Sequence, residues 1–262
     1  KDASEGRYPA ATETWLAHFK ERYTYKDVNM PQAVSVGNLE KALKALDAAK
    51  TMKVLLIGEY IQDRYTLVNT LAKSPREHHM STRVVRQENY PGGVVAIQRH
   101  MKPFVASTYI ATQVEGIVKE RFVEEHELRK LFSVQQIPDK LTMSPQGLRQ
   151  VELCGDYDLV VVADYGHSLL GADHQYSLVR ETLEEKARFL AVNCQSNSAN
   201  YGFNLATKWN RYDYMCLDGL ELALAKSGGF QIQPPEARNL MVTRGKEGAM
   251  FGGCHCPALA TK

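Results

Sequence analysis

In VLLIGEYIQDRY, residues 54–65, an apolar run meets Gly58 and then two acids, Glu59 and Asp63. Further along, DLVVVAD stops at Asp164 with His167 three residues on, DYMCLD stops at Asp218 with Glu221 three on, and NLMVTRG runs through Thr243 to Gly245. Polar residues that recur where apolar runs end converge on one rim, because ligands of an open α/β sheet collect beyond the carboxyl ends of its strands. Other readings compete at several positions. Asp63 also suits a turn cap, Asp218 and Glu221 have the spacing of a capping box, and the turn at Gly245 suits a hairpin joining LMV to AMF. Cys254, His255 and Cys256 form a CHC run, but a zinc site needs further ligands at a suitable spacing, and the sequence offers no second pair. Lys119 and Arg121 suit either a substrate phosphate or a charged solvent face.

The elements that would position these residues follow from the apolar pattern. From Met52 onward, runs of strand length (KVLLIG, FVASTYIAT, DLVVVAD, ARFLAVN, DYMCLD, NLMVTRG) alternate with charged segments of helical period. This predicts an α/β fold with a mostly parallel central sheet flanked by helices, since strands buried on both faces read as continuous apolar runs. MSTRVV (80–85) and GIVKERFVE (116–124) mix β-branched residues with charges and predict a small β lid with one wet face. FVASTYIATQVEGIVKERF leaves no room for a crossover helix, which predicts an antiparallel connection or missing residues. Residues 1–50 read as a helical extension or linker to the domain at 51–262: Trp15, Leu16, Phe19 and Tyr23 mark one helix, and Leu39, Ala42, Leu43 and Leu46 a second, N-capped by Asn38.

At 262 residues the chain is long enough for one large core. Its 32 Lys and Arg against 30 Asp and Glu give a net charge of +2, so the total argues against a nucleic-acid surface. The five cysteines, odd in number and mostly within apolar runs, fit reduced core thiols and a cytoplasmic protein. No apolar run approaches the roughly 20 residues of a membrane helix. A start at Lys1 and an end at Lys262 lead us to expect a fragment.

Five motifs then occur in one order: GEYIQDRY (58–65), PGGVVA (91–96), VVVADYGHSLL (160–170), CLDGLE (216–221) and VTRGKEG (242–248). The set resembles the ribokinase-like, or PfkB, carbohydrate kinases over roughly residues 50 to 262, and most of all their heptose-phosphate branch. FLAVNCQSNSANYGFNLATKW (189–209) looks closer to relatives fused to a nucleotidyltransferase. The resemblance implies a ribokinase-like fold and ATP-dependent phosphorylation of a sugar or sugar phosphate, with Mg²⁺, in the supply of a nucleotide-activated sugar. It gives Asp63 the sugar hydroxyls, which a carboxylate holds well because it has acceptor sites only. Gly92 and Gly93 would let the backbone approach the sugar, against a plain turn after Pro91 as the alternative. Glu59, Asp164 and His167 join the substrate side, Asp218 and Glu221 the phosphates, with Glu221 holding the water shell of Mg²⁺, and Thr243 and Gly245 the nucleotide.

The sequence departs from that pattern at three places. Ala96 stands for the usual Asn, His167 for a Lys, and Asp218 for the Asn of N-x-x-E. The family's base is the Asp of a GAGD run, and none occurs in these 262 residues, although CPALATK resembles what precedes it. The rival expectation is therefore an inactive binding or regulatory module of the same fold. A dinucleotide-dependent oxidoreductase is disfavoured, because GEYIQD stands where G-x-G-x-x-G would be. The expected partners are the sugar, ATP, a second copy of the chain and an upstream nucleotidyltransferase domain, with no nucleic acid and no membrane.

Overall fold

The computed structural model describes residues 36–74, 77–171, 174–198, 200–230, 239–252 and 254–258. Its first strands are β1 (Lys53–Gly58), β2 (Tyr60–Lys73) and β3 (Met80–Gly93), followed by helix α2 (Val94–Met101). Next come β4 (Ser107–Ala111), β5 (Ile117–Glu124), β6 (Lys130–Gln136), α3 (Pro145–Glu152) and β7 (Leu159–Asp164). The chain continues through α4 (His174–Lys186), β8 (Leu190–Cys194), β9 (Tyr214–Asp218), α5 (Gly219–Ser227), β10 (Leu240–Thr243), β11 (Ala249–Phe251) and β12 (Cys254–Cys256). Helix α1 (Val36–Ala49) precedes them all.

The central sheet has eight strands in the order β12-β11-β10-β9-β8-β7-β1-β4, parallel from β4 to β10 and antiparallel at β11 and β12. Alternation along β1 explains its continuous apolar run. Leu55 and Ile57 join the core that includes Val151 of α3, Leu183 of α4 and Ala225 of α5, while Val54 and Leu56 pack with Val94, Ile97 and Met101 of α2 on the other face. Each such buried side chain contributes about 1.5–3 kcal/mol relative to its exposure. The expected α/β architecture is therefore present. No helix among the described residues is long and apolar enough to cross a membrane.

The lid is a second sheet of four strands in the order β3-β2-β5-β6. The predicted strand segments 80–85 and 116–124 both belong to it, with β2 lying between them. The passage from β4 to β5 is neither antiparallel nor short of residues. β4 stays in the central sheet beside β1 and β5 enters the lid beside β2, so no crossover within one sheet is needed. Four connections thus cross between the sheets, β1 to β2, β3 to β4, β4 to β5 and β6 to β7, and Gln113 and Glu59 fasten the first three together. Gln113 is buried; its Oε1 accepts the Tyr60 amide at 3.0 Å and its Nε2 donates to the Tyr60 carbonyl at 2.7 Å. The Val94 amide, at the start of α2, donates to the Glu59 carbonyl at 2.9 Å.

Three expectations need correction or limit. Asn38 lies inside α1, which begins at Val36, and so does not cap it. The helix built on Trp15, Leu16, Phe19 and Tyr23 falls outside the described residues. Cys154 and Cys194 are buried thiols, but Cys254 and Cys256 are exposed on the edge strand β12.

Gly58 faces Ala163 in register across β1 and β7, and a Cβ there would stand 2.2 Å from the Ala163 carbonyl oxygen. Backbone cannot yield as a flexible side chain does. Gly58→Ala is expected to lower stability by about 1–3 kcal/mol, read by urea denaturation; an unchanged midpoint would contradict this close approach.

Candidate functional site

The carboxyl ends of β1, β7, β8, β9 and β10 form the rim anticipated from sequence, since Gly58 pairs with Ala163, Asp164 with Cys194, Asn193 with Cys216, and Asp218 with Thr243. Glu59 continues β1 and is fully buried. Its Oε2 accepts the Tyr165 amide at 2.9 Å and its Oε1 the His167 amide at 3.0 Å. Each oxygen thereby holds an amide of the loop after β7, so Glu59 orients that loop. Burial, followed by the charge of Asp164, pushes its pKa up to about 7, against the lowering effect of those amides.

Asp164 is equally buried. Its Oδ1 accepts the Gly166 amide at 3.0 Å, while its Oδ2 meets the Sγ of Cys194 at 3.6 Å and pairs with the ammonium of Lys208. It too faces inward, held by its own loop. Gly166 sits at φ 74, and a Cβ there would clash with the amide of Asn200. The His167 ring is buried, its Nδ1 has no hydrogen-bond partner among the described residues, and burial and then nearby Lys119 hold its pKa down, opposed by Asp164.

Asp63 is not at the end of a core strand. It lies within β2 of the lid, where its Oδ1 accepts from Arg121 Nη1 of β5 at 2.5 Å. Lys119 pairs with Asp63 in register and Arg121 with Tyr65, so these four share a lid face with Ile61 and Ile117, which belong to the main core. Arg121 also stands over the Tyr65 ring, 5.1 Å from its centroid. From this face the charges of Lys119 and Asp63 act on His167 and Tyr165 of the 164–170 loop. Gly92 and Gly93 end β3 rather than form a turn after Pro91; they pair with Ile61 and Tyr60. A Cβ on Gly92 would be 2.2 Å from Asp63 Oδ2, and one on Gly93, at φ 59, would be 2.1 Å from the Glu59 carbonyl oxygen. The glycine pair therefore makes room for the two acids themselves.

On the other side of the rim, the Asp218–Glu221 capping box forms: Asp218 Oδ1 accepts the Glu221 amide at 2.7 Å and Glu221 Oε2 the Asp218 amide at 2.8 Å. Glu221 Oε1 also accepts the Ser196 amide at 3.1 Å, and burial raises its pKa against those bonds. Each carboxylate oxygen so used keeps a lone pair, which suits holding the water shell of a hard cation better than binding it directly. Thr243 and Gly245 are exposed in the β10–β11 hairpin, so the hairpin reading holds; Gly245 has φ 54, and a Cβ there would meet nothing within 4 Å.

Sequence reasoning missed what joins the two sides. Asn200 Nδ2 donates to the carbonyls of Tyr165, Gly166 and Gln195 at 3.2, 3.0 and 3.3 Å, Asn197 Nδ2 to Tyr165 O at 2.6 Å, and Asn204 Nδ2 to Gln195 O at 3.1 Å. From the lid, Gln135 Nε2 reaches Ser198 Oγ at 3.2 Å. The crowding of asparagines in QSNSANYGFN was the available signal.

No protein-family model and no curated protein matches the chain. In structure it is similar to the nucleoside kinase of Methanocaldococcus jannaschii, described as an archaeal member of the ribokinase family. That pair shares 12% identity over 77% of this chain and 73% of that one, at a TM-score of 0.47. It is also similar to ribokinase of Thermotoga maritima (12% identity, 80% and 79%, TM-score 0.47) and to phosphofructokinase-2 of Escherichia coli in complex with potassium (11%, 80% and 78%, 0.48).

A carboxyl whose pKa rises on folding favours the folded state at low pH and loses that contribution as pH climbs, here from its ordinary 4.5 to about 7. Glu59→Gln is therefore expected to remove a downward slope in stability on the order of 3 kcal/mol across that window. Denaturation midpoints of parent and variant from pH 4 to 8 test this, and parallel curves would contradict it.

Proposed function

We propose that the chain is an ATP-dependent sugar kinase of the ribokinase type, with a sugar phosphate, a heptose phosphate in particular, as phosphoryl acceptor. One observation carries the reading: Asp63 meets Gly92 on the lid, Asp218 and Glu221 end β9, and the Ser196 amide on Glu221 together with Asn197 and Asn200 on the Tyr165 carbonyl ties the loop after β7 to that strand end. The ordered motifs quoted above support it independently.

In this reading Asp63 accepts hydrogen bonds from adjacent sugar hydroxyls. Arg121, already paired with it, fixes the carboxylate in place. Gly92 lets Asp63 lie flat against β3, Lys119 and Arg121 supply the basic side that an anionic sugar substituent requires, and His167, its pKa held down, adds a neutral ring beside them. Asp164 and Glu59 hold the loop. Thr243 and Gly245 meet the nucleotide, and Asp218 and Glu221 hold the water of Mg²⁺, which when bound neutralises charge on the phosphates. Positioning and electrostatics dominate phosphoryl transfer, so fixed groups of this kind are what the reaction asks of a protein. The setting is cytoplasmic, in the supply of a nucleotide-activated sugar, with residues 1–50 as an extension towards a nucleotidyltransferase domain.

Asp63→Asn exchanges one acceptor for a donor and removes the charge, at a cost of about 1.5–3 kcal/mol in a hydrogen bond to a charged group. Affinity for a heptose phosphate is expected to fall roughly ten- to a hundredfold with ATP affinity little changed, both by calorimetry on the full chain. Unchanged sugar affinity, or an equal loss for ATP, would remove Asp63 from the site.

The lid also supports a homodimer. Val84, Phe132 and Val134 are exposed on it, and Phe122 stacks on Phe132 at 4.5 Å. By register, Val84 lies opposite Val68, and Phe132 opposite Phe122, which neighbours Thr66, so these apolar groups occupy one lid face. Light scattering at micromolar concentration is expected to give twice the chain mass, and Phe132→Lys to give the monomer; a monomeric parent would end this proposal.

A further inference from the structure

Lys208, in the short turn after the asparagine-rich segment, makes three contacts from one ammonium group. It pairs with Asp164, donates to the Leu170 carbonyl at 3.0 Å, and donates to Asn204 Oδ1 at 2.7 Å. An ammonium has three N–H donors, and all three are used. Two of the acceptors are the first and last residues of the 164–170 loop, and the third is a side chain that itself holds Gln195. Inside that loop the amides of residues 165, 166 and 167 all donate to carboxylates, of Glu59 and Asp164. Two acids buried side by side thus shape the loop, and among the described residues Lys208 supplies the ion pair to either of them.

We infer that Lys208 is a positioning residue, which by grasping both ends of the 164–170 loop and neutralising one of its two buried carboxylates fixes the backbone that presents Tyr165 and His167 beneath the lid. The inference rests on the kinase reading only for what the loop is presented to. Without the ammonium, two buried anions would share three amides, and the loop would keep its shape only where one of them is protonated. The groups facing this pair are Cys194 from β8, His167 from the loop itself, and Lys119 and the Asp63–Arg121 pair from the lid. Arg180 of α4 also donates to the Leu170 and Gly171 carbonyls, at 3.4 and 2.5 Å. It holds the far end of the loop but does not reach Asp164.

The experiment is carboxyl carbon-13 NMR of Glu59 over pH 5 to 9 in the full chain, for the parent, Lys208→Met, Lys208→Arg and the double variant Asp164→Asn with Lys208→Met. In Lys208→Met the uncompensated Asp164 is expected to move the Glu59 midpoint up by about one pH unit. In the double variant, where Asp164 carries no charge, the midpoint should fall below the parent's, and Lys208→Arg should restore the parent's. Opposite shifts in the single and double variants distinguish positioning by charge from mere filling of space, which would lower the melting temperature and leave the midpoint in place; that result overturns the inference. Should Lys208→Met fail to fold, the lysine ammonium of the parent decides. A three-bonded ammonium exchanges slowly with water and gives a nitrogen-15 signal, and its absence overturns the inference as well. With a heptose phosphate as probe, Lys208→Met should bind roughly tenfold more weakly at pH 8 and recover towards pH 6. If the parent binds no such probe, the kinase reading fails, while the titration still judges Lys208.

Discussion

A carboxylate removed from water must find donors, and Glu59 finds them in the backbone of the neighbouring strand's loop. Much of the site's construction follows from that requirement. For the loop amides to reach Glu59, β1 and β7 must run close, which Gly58 permits; for Glu59 to turn out of β1 directly into the lid, the chain opposite must leave space, which Gly93 provides. The loop must then curl back with Gly166 in the left-handed region, where Asn200 fills the space a side chain would need.

The neighbouring acid adds a second requirement. Asp164 faces the same loop from its other side, and two anions so close are tolerable only with compensation. Compensation comes partly from protons, since burial and Asp164 bring the pKa of Glu59 near neutrality, and partly from Lys208. The asparagines of the 197–204 segment complete the arrangement with neutral groups. An amide side chain offers donors and an acceptor without further charge, so it satisfies carbonyls that a lysine or arginine would satisfy only by adding to the electrostatic load.

The parallel sheet was readable from sequence because β1 and β7 are apolar on both faces, so periodicity and composition agree there. The rim was readable for the same reason, as polar residues end those runs. What sequence could not convey was which sheet a strand joins. IVKERFVE reads as a strand whichever neighbour it takes, and only the three-dimensional path shows β5 leaving the sheet of β4. Asp63 illustrates the same limit: four residues beyond Glu59 it looks like a companion at one strand end, yet the chain has already crossed into the lid. For Gly92 and Gly93, a turn after Pro91 stood as the alternative to close approach of a sugar, and only register with β2 reveals their packing against Asp63 and the Glu59 carbonyl. Lys208 was invisible, since a lone lysine in a polar stretch is ordinarily solvated and its buried partner lies 44 positions away.

The knot formed by Gln113, Glu59 and Val94 at the crossings between the two sheets has a mechanical consequence. A sheet held at one end by four connections, three of them tied together, would swing about that end like an oar in a rowlock. Residues near the pivot, such as Ile61 and Ile117, sweep short arcs, while Lys73 and Met80 at the far end of β2 and β3 sweep long ones. Asp63 is only two residues from Ile61. Its carboxylate keeps nearly the same address through such a stroke, and it is the blade, with the exposed Val84 and Leu71, that travels.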